Sequence, residues 1–354
     1  MSLFALYQNP EHHGQLEELY NLASQNHPDG LPANFIEKDF WVTEILRLLY
    51  DESLLGDYEV AFKGGTALSK CWSAIYRFSE DIDLSVHWAD LSGKSKEEEL
   101  EAWKASTKSK SQNAKFRTKQ QEKLERWSDD LLKRLNERLK QYGIDGLEAK
   151  KEPDSKGEKI DIHFPQTARG DTNYQLDHIL LEFGGRNRGK PTKKIPIQTY
   201  LSTCSDVEDL PKANVKAFQQ DFILWEKLTA LHQFCTQTNE PNAKRLARHW
   251  YDVDCLLQSK FAEPIHTAEA MKAVIEMKTH RWPSKGVDYT AISQGELLII
   301  PKKIRMHEIR KDHQQSVTAR MFFKEPDAFE QIIARLQVTQ DDFNKHILNP
   351  DILL

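Results

Sequence analysis

Two aspartates separated by one residue are the strongest candidates for chemistry in this 354-residue chain. Asp81 and Asp83 open the run Asp81-Ile82-Asp83-Leu84-Ser85-Val86, in which polar and apolar residues alternate. This alternation predicts a half-buried β-strand, with both carboxylates on one face and their Cα atoms roughly 6–7 Å apart. Carboxylates at that spacing can hold one hard cation or straddle two.

A glycine pair lies upstream of the predicted strand. The apolar run Val60-Ala61-Phe62 ends at Lys63-Gly64-Gly65-Thr66, and Leu68, Trp72 and Ile75 then recur at helical spacing. Glycines let backbone N–H groups approach a ligand closely, and the N-terminus of a helix favours phosphate. A glycine turn, a helix and a paired-aspartate strand therefore predict metal-dependent nucleotidyl transfer. The turn would hold a triphosphate and the carboxylates would hold Mg²⁺.

Composition bounds the remaining possibilities. The length allows two domains, and 39% hydrophobic residues with eight tryptophans favour packed cores. No apolar run approaches the ~20 residues of a membrane helix, and the N-terminus shows no signal-peptide pattern. Four scattered cysteines without a Cys-x-x-Cys pair argue against disulfides or zinc and favour a cytoplasmic location. The net charge of −5 restricts any nucleic-acid binding to local basic patches.

One such patch is the segment from Lys104 to Lys140, which holds twelve basic and five acidic residues, a local net charge of +7. It is interpreted either as a solvated helix or loop, or as a basic arm that follows an RNA backbone. Recurring leucines in its second half predict a helix packed on the domain.

The motif Gly-Gly-Thr followed by Arg-x-Ser-x-Asp-Ile-Asp-Leu resembles the first motif of the AbiEii/AbiGii toxin family, in the polymerase-beta-like nucleotidyltransferase superfamily. The resemblance extends upstream to Glu37-Lys38-Asp39-Phe40-Trp41-Val42-Thr43 and downstream over most of the chain. By its own pattern, the upstream segment predicts an amphipathic helix packed on the sheet.

The resemblance implies an α+β fold, a mixed sheet flanked by helices and followed by a helical C-terminal domain. The nucleotidyltransferase domain is expected over residues 1–210, with a charged helical insertion at about 91–140. A polar, Pro-containing connection precedes the helical domain, which is expected over residues 211–354.

The superfamily places a third carboxylate on a strand beside the paired aspartates. Glu182, in the apolar stretch 178–183, matches that position best, and Asp161, in the alternating stretch 159–164, is the alternative. Asp312 resembles an aspartate of the family's C-terminal region and is a further site candidate.

The helical domain contains two further segments that resemble the family. The segment Trp225-Glu226-Lys227-Leu228 matches one that directs a lysine at the nucleotide. Arg248 and Asp252 match an arginine and an aspartate of a second motif, with His249 replacing its first aspartate. From the residues alone, Lys227 is a solvated lysine, and Arg248 and Asp252 form an ion pair along a helix. The resemblance instead puts Arg248 near phosphate and has Asp252 orient Lys227 or the attacking hydroxyl.

The implied function is that of a Mg²⁺-dependent nucleotidyltransferase toxin of a bacterial toxin–antitoxin (abortive infection) system. It would transfer a nucleotide from a nucleoside triphosphate to an RNA acceptor such as the tRNA 3′ end, and a cognate antitoxin would oppose it. Asp81, Asp83 and Glu182 would coordinate the metal, and a second group of residues would contact the phosphates. That group is Lys63, Gly64, Gly65, Thr66, Ser79, Lys227 and Arg248.

Two alternatives keep parts of this interpretation. In one, the enzyme modifies a protein or a small molecule rather than RNA. In the other, the chain is a nucleotide-binding module without turnover. The two carboxylates and Lys227 favour an enzyme, because a binding module does not need the full metal constellation.

Overall fold

The chain forms two compact units. The computed structural model describes residues 2–92, 95–170, 176–185, 192–239, 241–259 and 268–347. The first unit consists of Met1–Ser73 and Arg77–Phe218, and the second of Ala74–Tyr76 and Gln219–Leu354.

A seven-stranded mixed sheet forms the centre of the first unit. In chain order the strands are β1 (Val60–Lys63), β2 (Ile82–Val86), β3 (Glu148–Lys151), β4 (Lys159–His163), β5 (Ile179–Gly184), β6 (Thr192–Gln198) and β7 (Lys212–Phe218). In space their order is β3-β4-β5-β2-β1-β7-β6. β2 pairs in parallel with β5 and β1 in parallel with β7, whereas the other neighbours are antiparallel.

Helices flank this sheet and make up most of the second unit. In the first unit they are α1 (Leu3–Gln8), α2 (His13–Asn26), α3 (Ala33–Tyr50), α4 (Gly64–Lys70), α5 (Lys96–Thr107) and α6 (Lys110–Lys140). In the second unit they are α7 (Gln220–Thr236), α8 (Arg248–Leu257), α9 (Ala268–Arg281), α10 (Lys303–Thr318) and α11 (Phe329–Ile347). The predicted α+β architecture is confirmed. Over the described part of the chain, no helix combines the length and the apolar character that crossing a membrane requires.

The two faces of the sheet differ in character. Leu84 of β2 and Phe183 of β5 are register partners on one face, and both are buried. The indole of Trp127 in α6 packs on the Phe183 ring, with ring centroids 5.2 Å apart. Because side chains alternate along a strand, Asp83 and Glu182 lie on the opposite face. We call this opposite face the catalytic face.

The basic segment is a pair of packed helices, α5 and α6, rather than a loop. Trp88, just after β2, lies 6.1 Å from the Trp103 ring of α5 and 5.8 Å from the Phe116 ring of α6. This aromatic cluster fixes both helices on the first unit. The helix predicted for the second half of the segment is confirmed.

Two local predictions differ from the structure. The helix that follows the glycine pair ends at Lys70 instead of continuing to Ile75, and Ser73 then takes a left-handed backbone with φ of 48°. The segment that follows belongs to the second unit, where the Tyr76 carbonyl accepts a 2.8 Å hydrogen bond from the Phe323 N–H.

The second difference concerns the sequence after residue 210, which was expected to be helical. Residues 212–218 instead form β7, whose alternating Ala213, Val215 and Ala217 are buried. The division into units accordingly falls between Phe218 and Gln219.

Candidate active site

Two carboxylates lie side by side on the catalytic face. Asp83 of β2 is the register partner of Glu182 of β5 in a parallel pair, so about 4.8 Å separates their strands. Their sequence neighbours Ile82, Leu84 and Leu181 are buried, whereas both carboxylates are half-buried. Asp81 precedes β2 and has the same parity as Asp83. The apolar positions of two strands therefore fix which way the carboxylates point.

Asp161, the alternative third carboxylate, occupies a different place on the same face. It lies on β4 and pairs with Leu180 of β5, so β5 separates it from β2. Its Oδ1 is 3.4 Å from Nε2 of His178. The register thus places Glu182, and not Asp161, directly beside Asp83.

The glycine turn closes against the same carboxylate strand. Gly64 has a left-handed φ of 77°, and a β-carbon at this position would overlap the carboxylate of Asp83, 2.6 Å from its Cγ. A β-carbon on Gly65 would lie 2.6 Å from Oγ of Ser79 and 2.7 Å from Nη2 of Arg77. Both glycines are therefore required by close contact, and Gly64 by its backbone conformation as well.

Thr66 positions this turn from inside. Its side chain is buried, and its hydroxyl donates to the Asp81 carbonyl at 2.5 Å and lies 3.1 Å from Oγ of Ser79. The hydroxyl thus ties α4 to the start of the carboxylate strand. We conclude that Thr66 holds the turn in place. Lys63, at the end of β1, is the register partner of Asp83.

Helix α3 contributes a buried ion pair that sequence analysis missed. The predicted amphipathic helix is instead buried around its circumference, including Lys38 and its neighbours in sequence. Nζ of Lys38 lies 2.8 Å from Oε2 of Glu80, whose side chain is fully buried directly before Asp81. Lys38 also donates to the Leu176 carbonyl at 2.6 Å, and Glu80 accepts from the Leu176 N–H at 3.3 Å. These contacts join α3 to the segments that precede both carboxylate strands.

The neighbours of Lys38 anchor other segments. Glu37 accepts hydrogen bonds from the backbone N–H groups of Thr167 and Ala168, each at 2.9 Å. Asp39 pairs with Lys70 at the end of α4 and accepts from the Tyr200 N–H at 2.6 Å. Three consecutive charges within an apolar helix were a usable signal. Successive residues lie about 100° apart around a helix, so no single exposed face could hold all three.

In the second unit, Lys227 of α7 and Asp252 of α8 form an ion pair. Nζ and Oδ2 are 2.8 Å apart, and the side chains are 13% and 0% exposed. Lys227 is therefore not the solvated lysine that its residue type alone predicted. Arg248 is the first residue of α8, one helical turn before Asp252.

Two other aspartates of this unit have structural contacts. Asp254 accepts two hydrogen bonds from Arg335 of α11, at 2.9 and 2.6 Å. Asp312 is buried and accepts from the backbone N–H groups of Arg245 and Ala247, at 2.6 and 2.8 Å. Asp312 thereby fixes the start of α8, and we assign it no contact with substrate.

The donors on the catalytic face suit a hard cation. Mg²⁺ prefers oxygen ligands and is usually held by one or two carboxylates together with substrate phosphates and water. Asp83 and Glu182 supply adjacent carboxylates, and Gly64 leaves the room that the Asp83 carboxylate occupies. Within the described ranges, no three His, Cys, Asp or Glu side chains converge to hold a metal by themselves. The residues thus fit a metal that arrives with its phosphate ligands.

Comparison with known proteins places the chain. A search of curated proteins finds no match. Among solved structures, the chain is similar to MenT4, a nucleotidyltransferase toxin from Mycobacterium tuberculosis H37Rv. The two share 15% sequence identity with a TM-score of 0.48, and the alignment covers 94% of this chain and 98% of that one.

A family model described as "Nucleotidyl transferase AbiEii toxin, Type IV TA system" matches residues 47–335. The matched range contains both glycines, the carboxylate strands and the Lys227–Asp252 pair, and it begins after the charged part of α3. The chain belongs to the AbiEii family, the nucleotidyltransferase toxins of type IV toxin–antitoxin systems.

Proposed function

We propose that this nucleotidyltransferase moves a nucleotide from a nucleoside triphosphate to the 3′ end of an RNA such as tRNA, with Mg²⁺ as its metal. The observation that carries the proposal is the register of Asp83 beside Glu182, next to a turn in which Gly64 abuts Asp83. The terminal ribose of an RNA 3′ end offers a hydroxyl as nucleophile, and both RNA and triphosphate are cytoplasmic substrates.

On the catalytic face, Asp83 and Glu182, with Asp81, would hold the metal. When bound, Mg²⁺ would offset charge on the triphosphate and lower the pKa of the acceptor hydroxyl. The backbone of Gly64 and Gly65 would approach the phosphates, with Lys63 and Ser79 beside them. The buried Thr66 hydroxyl and the Lys38–Glu80 pair would hold this arrangement in place.

We propose that the Lys227 ammonium stabilises the negative charge that builds on the departing phosphates. A cation placed where charge develops lowers the barrier more than it strengthens ground-state binding. The 2.8 Å contact with buried Asp252 supports this role, because it holds the Lys227 ammonium in one position. Arg248 is proposed to contact phosphate.

The reaction balances as an in-line displacement. The hydroxyl oxygen of the acceptor forms a bond to the α-phosphorus while the bond from that phosphorus to the β-phosphate oxygen breaks. Pyrophosphate leaves, and an ionised carboxylate of the catalytic face takes the hydroxyl proton. Mutual positioning of the hydroxyl and the phosphorus supplies much of the rate, as in phosphoryl transfer generally.

The test is to incubate purified protein with each α-labelled nucleoside triphosphate and total RNA, with Mg²⁺ or with EDTA. We expect label in RNA, only with Mg²⁺, and none for Asp83→Asn. Label in protein instead of RNA would support the alternative acceptor. Binding of triphosphate without any transfer would support the binding-module alternative.

Restored bacterial growth on co-expression of a neighbouring gene would identify the antitoxin. Growth arrest by the Asp83→Asn variant would contradict toxicity by transfer.

A further inference from the structure

Three exposed lysines lie on the catalytic face at one side of the sheet. They are Lys194 of β6 and Lys212 and Lys216 of β7, and we call them the β6–β7 lysines. In β7 the exposed positions 212, 214 and 216 alternate with buried Ala213, Val215 and Ala217. Ala217 is the register partner of Phe62, which shares the face of Leu84, opposite the catalytic face. Because side chains alternate along a strand, the exposed positions of β7 lie on the same face as Asp83.

Two of these lysines face each other across the strands, and within the described part of the chain no ion pair neutralises their charges. Lys194 and Lys216 are direct register partners across antiparallel strands. Like charges in that arrangement destabilise a sheet. None of the β6–β7 lysines has an ion-pair partner among the residues that the structure describes. Asp51, an acid near β7, instead accepts from the backbone N–H of Asn214 at 3.1 Å.

Protection of a sheet edge explains only part of this pattern. β6 is an edge strand, and lysine and proline on edges prevent pairing between molecules, as Lys194 and Pro196 would do. β7 is paired on both sides, with β1 and with β6, so Lys212 and Lys216 protect no edge. Their shared face with the carboxylates requires another reason.

The distance to the carboxylates suits an extended substrate. β7 lies two strands from β2, and Lys216 lies two residues along the strand direction from the level of Asp83. With about 4.8 Å between strands and about 3.3 Å per residue, their Cα atoms are about 12 Å apart. That separation is within the reach of an RNA chain whose 3′ hydroxyl lies at Asp83 and Glu182.

We infer that the β6–β7 lysines bind the phosphate backbone of the RNA acceptor and guide its 3′ end toward Asp83 and Glu182. This inference rests on the proposed function, because it concerns the RNA substrate of the same face. The chain has a net charge of −5, so a local cluster of uncompensated lysines is needed to attract a polyanion. Backbone contacts give affinity without sequence preference, and they weaken as salt displaces them.

The test uses a fluorescein-labelled RNA hairpin with a single-stranded 3′ end, titrated at several KCl concentrations and followed by anisotropy. Lys194→Ala and Lys216→Ala should each weaken binding about five- to eight-fold at about 0.1 M salt, and lower the salt slope by about 0.7–0.9. Lys193→Ala is the matched control, because Lys193 is the exposed neighbour of Lys194 with its side chain on the other face. Lys216→Arg should bind like wild type.

Folding does not confound these variants. Removing one lysine of an opposed pair should leave thermal stability unchanged or raised. If wild type labels RNA but Lys193→Ala and the two catalytic-face variants bind alike, this inference fails while the proposed function stands. If wild type neither binds nor labels RNA and labels a protein instead, the proposed function fails and the inference fails with it.

Discussion

The two units build their functional groups in different ways. In the first unit, the main chain sets the geometry: strand register aligns Asp83 with Glu182, and a left-handed glycine leaves room for Asp83. In the second unit, two side chains on separate helices set it, through the 2.8 Å contact between Lys227 and Asp252. A change in backbone or packing should therefore be enough to disturb the first arrangement, whereas the second depends on the charges of two side chains.

The largest effect in the second unit is expected at Lys227. Lys227→Ala should lower the single-turnover transfer rate about 10²- to 10³-fold, because it removes a cation that acts on charge in the transition state. The affinity for triphosphate should change far less. Asp252→Asn should cause a smaller loss, and the double variant should lose less than the product of the two single effects.

Asp254→Asn is the control for these variants, since Asp254 lies on the same helix but pairs with Arg335. It should lower thermal stability and leave the transfer rate unchanged. Equal rates for Lys227→Ala and Asp254→Asn would show that the Lys227–Asp252 pair is only structural.

In the first unit, a single methyl group should be enough to disturb the site. Gly64→Ala should lower transfer about 100-fold, because the new β-carbon displaces the Asp83 carboxylate and misplaced reacting groups are costly. Gly146→Ala is a matched control, with φ of 75° and open space around its β-carbon. Both variants should cost about 1–2 kcal/mol of folding free energy through backbone strain. If both transfer at the wild-type rate, Gly64 serves the fold alone.

A smaller effect is expected from the buried ion pair behind the carboxylates. Lys38→Met should cost about 3–5 kcal/mol of stability, because the buried Glu80 carboxylate loses the Lys38 ammonium 2.8 Å away. The double variant Lys38→Met/Glu80→Leu should regain most of that stability, since apolar pairs can replace buried ion pairs. Its transfer rate should stay about 10-fold low, because Asp81 loses its anchor. Thermal melts measure the contribution of the pair to stability, and single-turnover rates measure its contribution to positioning Asp81. A wild-type rate in the double variant would show that the pair serves only the stability of the fold.

The smallest effect concerns the neutral histidines of the second unit. Nδ1 of His232 accepts from the Leu298 N–H at 3.1 Å, and Nε2 lies 3.2 Å from the Asp288 carbonyl, so the buried ring is neutral. Burial lowers its pKa below the usual 6.5, and that of His313 as well. The unfolded chain then takes up the proton first as pH falls.

The stability contributed by His232 is therefore complete above about pH 6.5 and declines below it, by at most about 1.4 kcal/mol per pH unit. Thermal melts from about pH 7.5 down to 5.5 should show this decline, and His232→Gln should make it shallower. An unchanged pH profile in His232→Gln would exclude His232 as its source.

Local patterns in the sequence predicted the central part of the site. The alternation after Asp81 identified β2, and the glycine pair identified the turn, because both are contiguous signals. The strand containing Glu182 was also predicted, but its parallel pairing with β2 joins distant segments and needed the structure. Register therefore separates Glu182 from Asp161, which the sequence alone left open.

The contacts that position the site were less visible in the sequence. Lys38 and Glu80 lie in segments that are far apart in the chain, and neither segment by itself indicates that the two side chains pair. The lysines of β7 escaped notice because two of the buried positions that alternate with them are alanine, which carries little β-strand signal. Which face they occupy follows only from their register with β1 and β6.

The most direct test of the central claim compares Glu182→Gln with Asp161→Asn, using Asp83→Asn as the inactive reference. Both sites lie on the catalytic face, but only Glu182 is the register partner of Asp83. The measurement is single-turnover transfer of labelled nucleotide to RNA over a range of Mg²⁺ concentrations. We expect Glu182→Gln to lose transfer by orders of magnitude and to require more Mg²⁺, while Asp161→Asn follows wild type. Wild-type transfer by Glu182→Gln, or inactive Asp161→Asn, would contradict the assignment of the Asp83–Glu182 pair as the metal-binding centre.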